Sequence, residues 1–304
     1  TIQRAFLHEE FPLVSTLASE FLADHPDVVE APRVRLWLAL SLERLQRPTE
    51  ALQAIEALKS RLAPADSLWP ELLCWEGDVS RRAHKMVRAR LAYQRMLDQH
   101  PDSTWTPRGL LGLGLVSLEQ GAFEAAVGYL HEAGLRQTEG PLAGEAQLFE
   151  GIGYVKLTRY QEAIRIFQAV VDRAREPTLK AQAAFHLAES LTGLGRYDEA
   201  VKAYQRAASA APSSPWGRLA LFGEGWADYR AGRCEDGVTV LARYLAPSRQ
   251  ADTEDHHPEA LFAQGSCFLQ LGQEDAALAS FGRLLVQHPA HPLAFDGGLA
   301  SADM

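Results

Sequence analysis

Small side chains recur at a nearly fixed spacing along this chain. One position, almost always Ala or Gly, returns about every 37 residues, with a single longer step of 40. The aligned residues are Val14, Ala51, Ala89, Ala126, Ala163, Ala200, Gly237 and Ala277. Such a period predicts an array of similar units, each packed against its neighbours, rather than one or two domains around a single core.

Two further positions keep the same spacing and predict a pair of helices in each unit. Twelve residues before the last seven aligned residues there is a first small residue: Ala39, Gly77, Gly114, Gly151, Ala188, Gly225 and Gly265. Four residues after them there is a large apolar one: Ile55, Tyr93, Leu130, Phe167, Tyr204, Leu241 and Phe281. An i, i+4 spacing places two side chains on one helical face, and small residues allow two helices to approach closely.

Glycine and proline mark the ends of these helices. The segment between the two helices holds Gly in EQGAF, GLGRY, RAGRC and QLGQE, and Pro in RPTE. Pro follows the second helix in six repeats, at Pro26, Pro64, Pro101, Pro212, Pro247 and Pro289. These signals predict turns within and between the helix pairs.

Over residues 3–291 the pattern resembles the tetratricopeptide repeat (TPR) family. The resemblance implies an all-α fold, a right-handed α-solenoid of antiparallel helix pairs with a period of about 37 residues. Two features depart from the family. The period exceeds the usual 34 residues, so we expect longer helices or turns. Leu also stands where an early Trp is usual, at Leu73, Leu110, Leu221 and Leu261.

The period divides residues 1–304 into the repeats of a single solenoid. The expected repeats are 1–31 (partial), 32–67, 68–105, 106–140, 141–177, 178–214, 215–254, 255–291 and 292–304, the last being the start of a further helix or cap. Both ends interrupt the repeat, whereas solenoids normally finish with a polar capping element. We therefore expect the natural protein to continue on at least one side.

Two junctions between repeats carry a finer resemblance. HPDSTW at 100–105 and APSSPW at 211–216 are similar to the P-x-S-x-aromatic junctions of bacterial envelope TPR proteins, such as outer-membrane-assembly lipoproteins and the Tol–Pal-associated coordinator. Pro stops one helix there, and Ser or Thr can cap the next. The resemblance implies a bacterial cell-envelope location on the periplasmic side, with the cytoplasm as the alternative.

Composition narrows the class of partner. The 304 residues carry a formal net charge of −9, which argues against a nucleic-acid partner because phosphate affinity comes from clustered Lys and Arg. No stretch approaches 18 consecutive apolar residues, so no transmembrane segment is predicted. The chain also contains no Asn. TPR co-chaperones that hold the carboxylate end of heat-shock proteins use Asn and Lys as a clamp, so that function is not expected.

No motif predicts catalysis. The chain lacks GxxxxGK[ST], HExxH and GxSxG, and GLLGLG at 109–114 is interpreted as helix packing. Cys74, Cys234 and Cys267 form no CxxC pair and are interpreted as buried thiols. ADTEDHHPE at 251–259 could hold a divalent metal, although a solvated loop before a helix is favoured. We expect a non-enzymatic protein without cofactor or metal.

The TPR resemblance also implies a binding groove, because the first helix of each repeat lines the concave face in that family. Positions two before and one after the first small residue, and others farther along the same helix, would face it. The candidate residues are Trp37, Trp75, Arg82, Phe149, Ile152, Lys156, Trp226, Tyr229 and Arg230. Apolar surface with Trp and Arg is typical of a binding site. The alternative is that these side chains pack against neighbouring repeats.

Two functions fit this interpretation. The first is a protein–protein interaction scaffold that binds a peptide or partner domain in the groove, within a bacterial envelope assembly. The aromatic residues would anchor the partner, and the basic residues would orient its acidic groups. The second is a structural arm or spacer of a larger multi-domain machine, such as an exporter, a secretion apparatus or an enzyme, in which the groove is inert.

Overall fold

A computed structural model describes residues 1–246 and 256–302, within which the chain forms 17 α-helices and no β-strand. The first eight are α1 (Ile2–Leu7), α2 (Phe11–Asp24), α3 (Ala31–Arg44), α4 (Pro48–Lys59), α5 (Trp69–Arg82), α6 (Met86–Gln99), α7 (Thr106–Glu119) and α8 (Phe123–Arg136). They are followed by α9 (Pro141–Lys156), α10 (Tyr160–Arg173), α11 (Pro177–Gly193), α12 (Tyr197–Ala210), α13 (Pro215–Arg230), α14 (Cys234–Tyr244), α15 (His257–Gln270), α16 (Glu274–Gln287) and α17 (Pro292–Ala302). The all-α prediction is confirmed. Not one of these 17 helices combines the length and the apolar character needed to cross a membrane.

The chain divides into two compact units, Thr1–Phe149 and the residues from Glu150 onwards, with the boundary inside α9. Within each unit, consecutive helices pack against each other. Successive odd-numbered helices also approach one another, as α5 approaches α7, whereas even-numbered helices of the described residues do not. The odd-numbered helices therefore form an inner layer of each unit, and the even-numbered helices form an outer layer. A single solenoid over residues 1–304 stays a prediction.

Each turn from an inner helix to its outer partner contains one residue in the left-handed region. Four turns use glycine, with φ between 71° and 75°: Gly121, Gly195, Gly232 and Gly272. The other four use a residue with a side chain, with φ between 56° and 61°: Glu9, Gln46, His84 and Thr158. Glycine adopts this conformation freely, whereas other residues lose roughly 1–2 kcal/mol. The turn geometry is thus conserved along the chain even where the glycine signal is missing.

The large apolar residues of the outer helices lie directly on the small residues of the inner layer. A methyl group at Gly77 would fall 2.5 Å from Cζ of Tyr93, and one at Gly151 would fall 2.5 Å from Cε1 of Phe167. Tyr93 also touches the next inner helix, where a methyl group at Gly112 would lie 2.7 Å from its Cε2. Carbon atoms normally meet at about 3.5–4.0 Å. The small residues are therefore needed so that a ring can sit between two inner helices.

The glycines of GLLGLG serve this packing. The motif lies inside α7, where Gly109 faces the Met96 sulfur at 2.9 Å and Gly114 faces Cγ of Leu130 at 2.5 Å, both measured from an added methyl group. An added side chain would collide at both places. The interpretation of GLLGLG as helix packing is confirmed.

Side-chain hydrogen bonds shape the two junctions between repeats. Ser214 accepts a hydrogen bond at 3.1 Å from the backbone N–H of Gly217 and so caps α13. At the earlier junction, Ser103 accepts from the backbone N–H of Trp105 at 3.2 Å, and the Thr106 hydroxyl donates to the Pro101 carbonyl at 2.9 Å. Hydroxyl groups satisfy backbone groups that the helix ends leave unpaired. At 211–216 a serine caps the next helix, as the sequence predicts. At 100–105 the hydroxyl groups instead stabilise a turn before α7.

Candidate protein-binding surface of the inner helices

One position of the inner helices is exposed in every repeat, five residues after the first small residue. It is occupied by Arg44, Arg82, Glu119, Lys156, Gly193, Arg230 and Gln270. Four of these seven residues are basic, and we call those four the basic row. The position lies at or near the C-terminal end of each inner helix, where the helix dipole favours cations. The predicted residues Arg82, Lys156 and Arg230 all belong to the basic row and are exposed.

The position two before the first small residue packs on the preceding repeat. His186 stacks on Phe167 with ring centroids 5.7 Å apart, and these rings belong to successive repeats. Trp75 and Phe149, at the same position, are half-buried against the apolar clusters that contain Ile55 and Leu130, respectively. Each candidate aromatic residue at this position therefore shares its surface between packing and solvent.

The two candidate tryptophans of the first unit, Trp37 and Trp75, are held by contacts with neighbouring side chains. Trp37 is half-buried and stacks on Phe6, with centroids 5.9 Å apart and an interplanar angle of 25°. The Arg108 guanidinium lies 4.4 Å from the centroid of Trp75, whose ring meets Trp105 at 6.4 Å. Within the described ranges, the indole N–H of Trp75 is buried and has no hydrogen-bond partner. Both rings are thus oriented before any partner binds.

The candidates in the second unit are also partly packed. Ile152 is half-buried, and Lys156 is exposed one turn further along α9. Trp226 and Tyr229 are half-buried and meet edge to face at 5.6 Å. The guanidinium of Arg230 lies 5.8 Å from the centroid of a tyrosine ring on α12. The aromatic candidates are thus neither fully buried nor fully exposed. Their contact with a partner stays a prediction.

Ion pairs join successive inner helices of the first unit. They are Arg33–Glu71 at 2.6 Å, Glu43–Arg82 at 2.7 Å, Arg81–Glu119 at 2.7 Å and Asp78–Arg108. The partners are 30 to 39 residues apart, which is about one repeat. Arg82 thus has an internal carboxylate partner that the sequence interpretation missed. Opposite charges one repeat apart on inner helices are the signal that could have found it.

Asp78 organises the most enclosed of these pairs. The Tyr93 hydroxyl donates to Asp78 Oδ1 at 2.5 Å, and Arg108 Nε donates to Asp78 Oδ2 at 3.1 Å. Burial, together with the Asp78 charge, raises the pKa of Tyr93 far above its usual range, so the hydroxyl remains a donor. This carboxylate connects α5, α6 and α7 and fixes the inner surface around Trp75.

The residues considered for chemistry are the acidic segment 251–259 and three cysteines, of which Cys234 and Cys267 are neighbours. All three cysteines are buried and free, as interpreted from the sequence, and burial raises the pKa of Cys74 to about 12. In residues 1–246 and 256–302, no three His, Cys, Asp or Glu side chains are placed to hold a metal ion. Most of the acidic segment 251–259 lies outside the described residues. Its last member, Glu259, is 3.5 Å from His291.

These features define an α-solenoid protein of helix pairs, with an inner layer available for contacts. The sequence profile of the tetratricopeptide repeat family matches residues 16–67, 148–215 and 222–292, which is more than half of the chain. The chain belongs to the TPR family, as the small-residue pattern predicted. The fold supports a general role as a protein–protein interaction scaffold.

Solved structures share this fold at low sequence identity. The apo form of RapI has a TM-score of 0.72 at 11% identity, over 99% of this chain and 94% of that chain. A tetratricopeptide repeat protein from Parabacteroides merdae gives 0.57 at 17%, over 88% and 96%. YrrB, described as a TPR protein with an unusual peptide-binding site, gives 0.54 at 16%, over 68% and 97%. At these identities the comparisons show the fold alone.

Proposed function

We propose that this protein binds a peptide or a partner domain on its inner layer. The observation that carries the proposal is a seven-residue spacing on three inner helices. A half-buried aromatic residue precedes an exposed basic one by that spacing in the pairs Trp37–Arg44, Trp75–Arg82 and Phe149–Lys156. Seven residues are about two helical turns, so both members of a pair lie on one face. Each of these helices therefore presents an apolar anchor and a charge together.

The chemistry of these pairs suits protein recognition. Trp and Arg are enriched among the residues that dominate binding energy. The aromatic rings are already oriented by their neighbours, which lowers the entropy lost when a partner binds. The peptide-binding description of YrrB is consistent with this use of the fold.

The test begins with a partner identified by pull-down and mass spectrometry from the native organism and then purified. Its affinity is compared for the full chain, for Trp37→Ala and for Trp226→Ala, with Leu91→Ala on the outer helix α6 as the control. Leu91 is also a large exposed apolar residue. An anchoring Trp contributes about 2 kcal/mol or more, so at least one of the two Trp variants should bind about 30-fold more weakly. Unchanged affinity in both variants, with native circular dichroism, would reject the proposal.

Our proposal includes a compartment, the periplasmic side of a bacterial envelope assembly, with the cytoplasm as the alternative. Its support is the pair of serine-containing junctions at 100–105 and 211–216, which are similar to those of envelope TPR proteins. Fractionation of cells that express the tagged natural protein would separate the two compartments. Recovery with a cytoplasmic marker alone would reject the envelope proposal.

A second candidate function is the structural arm or spacer of a larger machine. The observation in its favour is that inner-layer charges of the first unit are paired internally, as Arg82 is with Glu43. In that case contacts would lie on the outer layer, where Val87 and Leu91 are exposed one turn apart on α6. Val87→Ser with Leu91→Ser would then release the partner, while Trp37→Ala would not.

A further inference from the structure

We propose that the inner layer of the first unit selects a protein segment with an acidic side chain beside an apolar one. Arg44 and Arg82 would receive the carboxylate, and Trp37 would contact the apolar side chain. This inference deepens the proposed function and rests on it, because it names the chemistry of the partner and the unit that binds it.

Charge is distributed unequally between the two layers of the first unit. The inner helices α1, α3, α5 and α7 carry seven basic residues and five acidic ones. The basic residues are Arg4, Arg33, Arg35, Arg44, Arg81, Arg82 and Arg108, and the acidic ones are Glu43, Glu71, Glu76, Asp78 and Glu119. The outer helices α2, α4, α6 and α8 carry five basic and seven acidic residues. The part of the inner helix α9 that belongs to this unit adds one acidic residue, Glu145. The inner layer of the first unit thus has one more basic residue than acidic ones, in a chain of net charge −9.

The second unit has the opposite balance. Its inner helices α11, α13, α15 and α17 carry three basic residues, Lys180, Arg218 and Arg230. They carry five acidic ones, Glu189, Glu224, Asp228, Glu259 and Asp296. Electrostatic complementarity steers and selects partners. An acidic segment is thus favoured by the first unit and not by the second.

Internal pairing neutralises most of the basic residues on the inner helices of the first unit. Glu76 turns to the outer layer, where Lys59 lies 2.9 Å away. The other four acidic residues of these inner helices each pair with an Arg, as described above. Of the three Arg residues that remain, Arg35 donates to the Pro26 carbonyl at 2.6 Å, and Arg4 lies on the short α1. The third, Arg44, lies beside Glu43, a carboxylate that already pairs with Arg82.

Arg44 and Arg82 share one carboxylate. Glu43 Oε1 lies 2.7 Å from Arg82 Nη1, and Glu43 Oε2 lies 3.8 Å from Arg44 Nε. The Glu43 side chain is only 10% exposed, whereas those of Arg44 and Arg82 are 57% and 38% exposed. Two solvated guanidinium groups beside one buried carboxylate leave a local excess of one positive charge. Guanidinium groups bind carboxylates by paired hydrogen bonds, so a second carboxylate fits this cluster.

Aromatic side chains stand beside the arginines. The Arg44 guanidinium lies 6.0 Å from the Phe11 centroid, and Phe11 meets Phe6 at 6.3 Å. Phe6 in turn stacks on Trp37, two turns before Arg44 on α3. All three rings are half-buried. An apolar side chain on these rings would bring the neighbouring acidic group of the same segment to Arg44 and Arg82.

A protein segment fits this surface better than a nucleic acid does. Nucleic-acid affinity grows with the number of neutralised phosphates. Most of the inner arginines of this unit are already neutralised by Glu or Asp. A small positive excess next to three aromatic rings suits a short acidic and apolar sequence.

The experiment uses three fluorescein-labelled peptides built from repeated Glu-Glu-Phe-Ser, Lys-Lys-Phe-Ser or Glu-Glu-Ser-Ser units. Fluorescence anisotropy gives their dissociation constants for the full chain. We expect the Glu-Glu-Phe-Ser peptide to bind most tightly. Arg44→Ala should weaken it about fivefold, as expected for a charge pair at the rim of an interface, and Trp37→Ala should weaken it about 30-fold.

Two variants serve as matched controls. Arg95→Ala removes an exposed Arg from the outer helix α6, and Trp216→Ala removes a half-buried Trp of the second unit that is not a groove candidate. Both should bind the peptide as the native chain does. Added salt should reduce the affinity of the native chain more than that of Arg44→Ala.

The outcomes separate this inference from the proposed function. Trp226→Ala, which alters a groove candidate of the second unit, is measured as well. If it weakens the peptide and Trp37→Ala does not, the groove binds peptides and the assignment to the first unit is overturned. Equal or tighter binding of the Lys-Lys-Phe-Ser peptide overturns the acidic partner. No binding by any of the three peptides, or equal weakening by Arg95→Ala, overturns this inference as well. The proposed function keeps its own test with the purified natural partner.

Discussion

Replacement of Gly77 by Ala tests how the outer-layer ring is held. On α5, the added methyl group would lie 2.5 Å from Cζ and 2.7 Å from Cδ1 of Tyr93. The ring cannot retreat freely, because it already touches Gly112 of the next inner helix and its hydroxyl is bonded to Asp78 at 2.5 Å. A normal carbon contact requires a displacement of about 1 Å. The substitution must therefore disturb two helix contacts and one buried hydrogen bond.

Three contributions set the size of the effect. Ala favours a helix over Gly by about 1 kcal/mol. Overpacking costs about 1–3 kcal/mol, and a hydrogen bond to a charged group contributes about 1.5–3 kcal/mol. Gly77→Ala should therefore lower the free energy of unfolding by about 3 kcal/mol. Gly128→Ala on α8, where an added methyl group meets nothing within 4 Å, should raise it by about 1 kcal/mol.

Urea unfolding followed by circular dichroism compares the two variants, and hydrogen exchange localises the change, because repeat arrays can unfold unit by unit. The double variant Gly77→Ala with Tyr93→Ile imitates the natural pair Ala39 and Ile55. Its loss should be smaller than the sum of the single losses by about 1 kcal/mol or more. Equal shifts for Gly77→Ala and Gly128→Ala, or strict additivity in the double variant, would refute the packing rule.

Three other predictions follow from the turns, the buried acids and the thiols. Thr158→Gly should raise the free energy of unfolding in urea by about 0.5–1 kcal/mol, because Thr158 has a φ of 58°, and Gly195→Ala should lower it similarly. Burial raises the pKa of Glu224, so its ionisation destabilises the fold as pH rises through that folded-state pKa. Glu224→Gln should therefore raise Tm at neutral pH, with the difference vanishing below the unfolded-state pKa; the same gain at every pH would contradict this cause. Cys74 should resist a thiol reagent in the folded chain and react after unfolding, and rapid reaction in native buffer would be inconsistent with its burial.

The helix pairs could be predicted because their determinants are local or periodic. Gly77 and Tyr93 stand sixteen residues apart in one repeat, and their steric match recurs in the other repeats. If one repeat were aligned at the wrong residue, its small and large residues would no longer match those of the other repeats. Each repeat therefore checks the alignment of the others. The same holds for the turns with glycine. The turn at Thr158 could not be predicted in this way, because it has the left-handed backbone conformation of the other turns but no glycine.

The candidate site was less predictable because one position has two roles. Trp75 lies where the groove was expected, yet Arg108 of the next inner helix covers one face of its ring. Whether a side chain two before the small residue packs or faces solvent depends on the angle between successive repeats. That angle follows from contacts such as Glu43–Arg82, formed across a whole repeat. Residue type alone does not determine it.

A second pattern, with a period of two repeats, helps to explain how each repeat stacks on the correct neighbour. In the first six repeats, the residue just before the first small residue alternates between Leu and Glu: Leu38, Glu76, Leu113, Glu150, Leu187 and Glu224. The seventh, Gln264, ends the alternation. The polar residues at this position are buried, and Glu76 and Glu224 bond to side chains of outer helices. Glu76 meets Lys59 at 2.9 Å, and Glu224 accepts from Gln205 at 2.8 Å.

Similar repeats can pair with the wrong neighbour, and the ring-on-glycine contact alone does not distinguish one repeat from the next. A shift by one repeat would place a Glu where an apolar partner is expected and leave Lys59 facing Leu. Leaving a buried charge unpaired costs about 3–5 kcal/mol, whereas in the correct register Lys59 pairs with Glu76. The alternation therefore disfavours stacking that is shifted by an odd number of repeats. The apolar contacts can then be nearly identical from one repeat to the next without loss of register. On this argument, the small and large apolar residues build the stack, and the buried acids fix which repeat follows which.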